Sequence, residues 1–405
     1  MKLLICSLSV PFDFVAHAGG QTHNYYIKKL KRETTIDIHL VTFSDPAENE
    51  YIDLDKYGIS SSIICRGNFS FLKRIIRKGT RIICKMFPKI NYWGLFSLFE
   101  KYLMLKELKK LKKDGFRPDA VELDWTQIIF FYQSIKKIFP DAKYYAFEHD
   151  VTFLKFERIF LNENNIKKQI EMKKQYISIK KAELTVLKYF IIVFVQNNKD
   201  RNLLLNNGLP ESHVIAITPF FNKYSIPVTT EKKNAILFYG AMAREENYTA
   251  AIWFIENVFS KIKNNNLIFT ILGSNPHHEL KKYENNNIII TGYQQDIQPY
   301  FEKALCMAAP LILGAGIKVK VLEALAAGIP VLGSEVASEG INVTDKVNFF
   351  HCKTPSEYIE CIHELSVNTE LRMTVSIAAK NLIDDEYNFN ESFKIYVNSI
   401  QGIPC

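Results

Sequence analysis

Residues 313–333 read LGAGIKVKVLEALAAGIPVLG. An apolar run ends at Leu313, Gly314 and Gly316 permit a tight turn with close backbone approach, and helical spacing begins at Ile317. Gly328-Ile329-Pro330 stops that helix and starts another extended run, so the stretch is a strand, a turn, a helix and a strand. A helix start offers unpaired N–H groups and the positive end of a dipole to a phosphate. Lys318 and Lys320 add full charges in the first turn. Glu323 follows Gly316 and Lys318 at a spacing of roughly 8–10 Å along the axis, at about 1.5 Å per residue. That distance suits a carboxylate accepting both hydroxyls of a ribose whose diphosphate sits at the helix start. The plain alternative is a βαβ unit whose glycines only solve turn geometry; two lysines and an interior glutamate favour the ligand reading.

Outward from this unit, apolar runs of strand length alternate with helical periods along the whole chain, which is the pattern of an α/β protein with parallel sheets. Strands are expected at 2–10, 37–43, 120–123, 143–147, 191–195 and 214–217. The rhythm restarts with strands at 235–239, 267–272, 287–291, 306–313 and 330–333 and helices at 248–263, 297–305 and 317–327. The fold class is therefore two Rossmann-like, doubly wound domains, at 1–218 and 231–380. Residues 218–230, with Pro219 and Pro227, form the expected linker, and 381–405 a C-terminal helix packing back on the first domain. Ligands of such domains bind beyond the carboxyl ends of the strands, so a cleft faced by both domains is the expected site. The apolar stretch 3–12 with Ala16-His17-Ala18 imitates a signal peptide, but the downstream pattern needs it as the first strand.

The composition agrees with a folded protein. Of 405 residues, 47% are hydrophobic and 23% charged, which sets aside disorder, collagen and coiled coil. The 7 cysteines are scattered without a Cys-x-x-Cys pair, which speaks for reduced thiols and against a zinc site or disulfide framework. Asp53-Leu54-Asp55 is a poor metal candidate because it follows no strand end.

The 313–333 stretch resembles the GT-B glycosyltransferases of the "glycosyl transferases, group 1" type. Gly314, Gly316, Lys318, Lys320, Leu322, Glu323, Ala324, Ala326, Gly328, Pro330 and Val331 match a pattern that many bacterial members carry. The resemblance implies a GT-B fold and transfer of a sugar, of hexosyl type, from a nucleotide-diphosphate donor to a glycan or polyprenyl-linked acceptor. It further implies retention at the anomeric carbon and no required metal or other cofactor. It assigns Glu323 to the ribose and Gly314, Gly316 and Lys320 to the donor, with Lys318 and Arg244 as the cations at the leaving diphosphate. Gly20 is assigned to the donor phosphates and Gly19 to the acceptor side, in a turn before an expected helix at 21–31. His149, between Glu148 and Asp150, is the expected catalytic contact to the transferred sugar, and Gly292 and Tyr293 belong to the loop that reads the nucleobase. Two departures stand out: Ala315 occupies the place of a family carboxylate, and Arg244 is displaced from the usual phosphate clamp. They leave open a catalytically silent subunit that binds a partner enzyme, and the shared layout leaves open a nucleotide-sugar 2-epimerase.

The excess of 51 Lys and Arg over 43 Asp and Glu is concentrated. Residues 66–113 hold 14 basic residues against Glu100 and Glu107, a local charge of +12, so the rest sums to −4. Within 69–89, apolar residues interleave with Lys73, Arg74, Arg77 and Lys78, and Trp93 follows, as in a basic amphipathic helix that docks on anionic lipid. A solvated helix face and a nucleic-acid site are the alternatives; without a recognised nucleic-acid motif, the expected partner is the inner leaflet of the cytoplasmic membrane, and the expected place is cytoplasmic and peripheral.

Overall fold

Strand β1 (Lys2–Cys6) sets the pattern of the first sheet: Leu4 and Cys6 enter one hydrophobic core while Leu3 and Ile5 enter another. A strand buried on both faces needs helices on both sides. The computed structural model describes all residues except Phe14, Ala16, 87–96, Thr230, Lys232, Asn265, Ala315, Pro404 and Cys405, and only the backbone of 84–86. These residues form two units, Met1–Phe220 with Asn390–Cys405, and Phe221–Phe389.

In the first unit, β1 is joined by β2 (Asp37–Ser44), β3 (Ser60–Cys65), β4 (Ala120–Asp124), β5 (Lys143–Glu148), β6 (Ile192–Val195) and β7 (Val214–Ala216). All pairings are parallel, in the order β3-β2-β1-β4-β5-β6-β7. The second unit repeats the scheme with β8 (Ala235–Tyr239), β9 (Ile268–Leu272), β10 (Ile288–Gly292), β11 (Ala304–Ala309), β12 (Val331–Gly333) and β13 (Phe350–His351). Its parallel order is β10-β9-β8-β11-β12-β13. Both sheets are doubly wound, and strand order reverses beside β1 and β4 in one and beside β8 and β11 in the other, the places where such sheets bind ligands.

Several boundaries differ from expectation. β3 is a strand that its serines concealed, and β11 begins earlier than 306 and stops before Pro310, which has no N–H for a ladder. Gly19 and Gly20 lie inside helix Ala18–Glu33, because the His17 ring caps its start by accepting from Gly20 N–H at 2.9 Å. The helix expected at 248–263 is Glu245–Asn257, with Glu245 and Glu246 in the first turn, where the dipole favours them. Residues 221–229 are no free linker: Phe221 and Ile226 are buried and belong to the second unit. Residues 381–386 continue helix Thr369–Glu386, so the helix that joins the first unit is the shorter Phe389–Gln401. There Tyr396 donates to Glu122 on β4, and Tyr145 donates to the Ile400 carbonyl. No helix among the described residues is long and apolar enough to cross a membrane.

Candidate active site

At the β8–β11 switch point the structure assembles the glycine turn and its helix. Gly314 and Gly316 have φ of 105° and 71°, left-handed conformations that suit glycine. Lys318 is the extended N-cap residue of helix Val319–Ala326, so the helix begins two residues later than expected. Its ammonium donates to the Gly316 carbonyl at 2.6 Å and lies 3.7 Å from the Glu339 carboxylate, which comes from the loop after β12. Lys320 is enclosed, donating to Asn247 Oδ1 at 2.6 Å above the Phe238 ring. Burial, helped by Lys318 and Arg244, lowers its ammonium to about 7. Asn247 is held in turn by its amide bond to the Ala241 carbonyl.

Glu323 is buried on the same helix. One oxygen accepts from the Asn222 N–H at 3.1 Å and its side-chain amide at 3.0 Å; the other lies 2.8 Å from the Tyr239 hydroxyl, which is equally close to the Lys320 carbonyl. Burial raises the Glu323 carboxyl above its ordinary value, and these hydrogen bonds pull it back. The loop 240–247 reaches Lys320 because β8 and β9 end in a close glycine crossing: a Cβ on Gly273 would stand 1.7 Å from the Gly240 carbonyl oxygen. Arg244 is exposed and pairs with Glu246, its neighbour in the first turn, so it does not share the enclosure around Lys320. Gly292 has φ of 70° at the end of β10, and the Tyr293 side chain is exposed beside it. Ala315 lies outside the described residues.

In the first unit, His149 closes β5. Its ring stacks on Trp125 at 4.2 Å, and Gln196, at the end of β6, places its amide nitrogen 2.7 Å from Nδ1. A proton donated to Nδ1 leaves the ring's own proton on Nε2. Nε2 is buried and has no partner among the described residues. Burial, with His23 and His17 nearby, drives the imidazole well below its ordinary value, so it is neutral at pH 7. Gly19 is small because the helix start abuts this ring: a Cβ there would lie 3.3 Å from His149 Nδ1 and 3.4 Å from Trp125 Nε1. Beneath Trp125, His23 Nδ1 and Asp124 Oδ2 are 2.5 Å apart, both buried, with the Asp124 carboxyl raised and the imidazole lowered to about 4 by burial. Both shifts favour the uncharged forms.

The basic helix is Phe71–Met86, and 87–96, including Lys89 and Trp93, lie outside the described residues. Lys73 and Lys78 are exposed, together with Phe71, Leu72, Ile75, Ile76, Ile82 and Ile83. Arg74 is exposed as well and Arg77 half-buried, and both also hold the fold. Arg74 donates to the Phe69 and Gly67 carbonyls, and Arg77 pairs at 3.0 Å with Glu100, a carboxylate buried at the start of helix Leu98–Lys113. Asp53 is likewise occupied by the Lys28 ammonium at 2.6 Å.

Residues 233–368 match the family model described as "Glycosyl transferases group 1". That segment, within the second unit, is similar to the group 1 glycosyltransferases. Among curated relatives, an uncharacterized 44.6 kDa protein in the cps region of Klebsiella pneumoniae is 22% identical over 97% of this chain and 98% of its own. An uncharacterized glycosyltransferase of Methanocaldococcus jannaschii is 26% identical over 98% and 97%. Anabaena HepE in complex with UDP superposes with a TM-score of 0.68 at 11% identity, each chain covered to 100%. Sucrose-phosphate synthase from Thermosynechococcus elongatus gives 0.70 at 11%, covering 99% of this chain and 98% of its own. These likenesses show the fold, which is GT-B.

Sequence reasoning missed Asn222 and Tyr239 around Glu323, Glu339 beside Lys318, and Trp125, Gln196, His23 and Asp124 around His149. Tyr239, Asp124 and Gln196 stand at or just past strand ends, which was a usable signal. Asn222 and Glu339 stand in loops without any.

Proposed function

We propose that the protein is a glycosyltransferase that moves a hexosyl group from a nucleoside-diphosphate sugar to a glycan or polyprenyl-linked acceptor in cell-surface polysaccharide synthesis, with retention and without a metal. The observation that carries this reading is a single short helix bearing Lys318 at its cap, enclosed Lys320 in its first turn and buried Glu323 one turn on, after a glycine turn in left-handed backbone. Departure of a nucleoside diphosphate develops negative charge on phosphate oxygens, which preorganised amides and cations stabilise. Lys318, Lys320 and the helix start are assigned to that charge, Glu323 to the ribose, Gly292 and Tyr293 to the base, and His149 Nε2–H to a hydroxyl of the transferred sugar. The Klebsiella relative from a cps region supports the polysaccharide reading, and the UDP bound to HepE supports a nucleotide donor. The exposed cationic and apolar face of helix Phe71–Met86, with Lys73, Arg74 and Lys78, is assigned to an anionic inner-leaflet surface, while Arg77 is paired with buried Glu100.

A panel of UDP-, GDP- and ADP-sugars, read by thermal shift and diphosphate release, tests the donor site. One donor should stabilise the protein and release its diphosphate; a flat panel would sink the reading. The variants must respect the hydrogen bonds of Glu323. Glu323→Ala orphans buried donors at about 1–3 kcal/mol each, so it should lower stability as well as turnover. Glu323→Gln can still accept from Asn222 and donate to Tyr239, whose hydroxyl then serves the Lys320 carbonyl. It should keep the melting temperature and lose at least about tenfold in kcat/KM, the loss of a charge-assisted hydrogen bond. Full activity in Glu323→Gln would refute the ribose assignment.

A further inference from the structure

A second cationic and apolar element lies in the same unit, outside the segment assigned above. Helices Thr152–Leu161 and Ile166–Leu187 form an antiparallel hairpin between β5 and β6. Its root is fixed: Glu183 accepts from the N–H groups of Thr152 and Phe153 at 2.7 and 2.9 Å, and Ile179, Val186 and Leu187 enter the core. The first 13 residues of the longer helix contain no buried residue. They lean on the shorter helix through the stacked rings of Phe160 and Tyr176, and Tyr176 donates to Glu157.

The surface of this outer half is unusual for an exposed helix. Ile166, Ile170 and Ile177 fall on one face, at 75%, 53% and 54% exposure, and Leu161 at the tip is 62% exposed. Isoleucine is not a residue that exposed helical positions select for helix formation, since its branched side chain loses rotamer freedom there. Lys173 and Lys181 share that face, with Lys167 and Lys174 on its flank, and all four are exposed. Across 155–181 there are 8 basic residues against Glu157, Glu163 and Glu171, a local charge of +5. A second copy of this face would meet it with like charge. An anionic bilayer offers both the charge that the lysines lack and an apolar boundary for the isoleucines, while the lysine stems can lie along that boundary.

We infer that this hairpin is a second lipid-docking element, which inserts Leu161, Ile166, Ile170 and Ile177 at the headgroup boundary of an anionic membrane. It extends the membrane reading proposed for helix Phe71–Met86, but is encoded by different residues and can fail separately.

Sedimentation of the full chain with phosphatidylcholine vesicles, with and without phosphatidylglycerol, tests it. The wild type should partition onto the anionic vesicles. Ile166→Ser with Ile170→Ser, and separately Lys173→Gln with Lys174→Gln, should each weaken that partition by about tenfold or more, with unchanged thermal melting because the positions are exposed. Lys73→Gln with Lys78→Gln should weaken it independently. Hairpin variants that sediment like the wild type while the Lys73 and Lys78 variant falls away would overturn this inference and leave the first element standing. Equal partition of the wild type onto neutral vesicles would overturn it too, as would a wild-type dimer that Ile166→Ser with Ile170→Ser converts to monomer.

Discussion

Lys320 shows how a residue legible in the sequence acquires its chemistry only from its enclosure. Its place in the first helical turn was visible, but the Asn247 amide and the Phe238 ring that surround it come from β8 and the helix that follows it. Burial lowers the ammonium from 10.5 to about 7. Between those values the unfolded chain holds a proton that the folded chain lacks, so this group's contribution to stability rises with pH across that window and is least below about pH 7. On the proposed donor assignment, a bound diphosphate reverses the balance by drawing the proton back. Calorimetry of nucleoside diphosphate binding above pH 8, in buffers of different ionisation enthalpy, should show uptake of about one proton and an affinity that falls as pH rises. Lys320→Met should abolish the uptake. His149 is a parallel case: the sequence showed a histidine at a strand end, whereas its neutral state follows from burial and its Nε2 proton from the Gln196 amide at Nδ1.

At the scale of elements, strand and helix order was readable because buried parallel strands are short apolar runs between helical periods. The misplacements have local causes. β3 hides behind Ser60, Ser61 and Ser62, since an edge strand needs fewer apolar residues, and Pro310 ends β11 by lacking a donor. The Gly19-Gly20 pair reads as a turn, yet it starts a helix because His17 supplies the cap. The close crossing of β8 and β9 was invisible, because each of Gly240 and Gly273 looks alone like an ordinary loop glycine. Both have positive φ, 153° and 148°, and at Gly273 a Cβ would stand 1.7 Å from the Gly240 carbonyl oxygen, which leaves no room there for a side chain. Gly273→Ala should therefore destabilise the protein by at least about 1–3 kcal/mol, seen as a lower melting temperature, and displace the loop that carries Asn247. The expected reporter is a weaker response of the Lys320 proton uptake, which a purely global loss of stability would not produce.

At the scale of the whole molecule, the chain leaves its first unit at Phe220 and returns to it at Asn390. The returning helix buries Phe393, Tyr396 and Ile400 on the face of the sheet that also holds helix Ala18–Glu33. Each such side chain contributes about 1.5–3 kcal/mol, which together is comparable to the net stability of a domain. Removal of residues 390–405 also leaves the buried Glu122 without its Tyr396 hydroxyl. The truncated chain should lose the near-ultraviolet signal and cooperative melting of the first unit. The sequence by itself determined the two doubly wound sheets, the glycine turn, and the positions of Lys318, Lys320 and Glu323, because periodicity and motif spacing are local properties that short stretches encode. It also showed that the charge is uneven. Only the tertiary structure decided which of those charges are free. Arg77 is paired with buried Glu100, Glu323 holds the hydrogen bonds of Asn222 and Tyr239, and the lysines of the hairpin 152–187 join a stripe of exposed isoleucines. Partnership between residues far apart in the chain depends on which faces the fold brings together, and no local pattern records that.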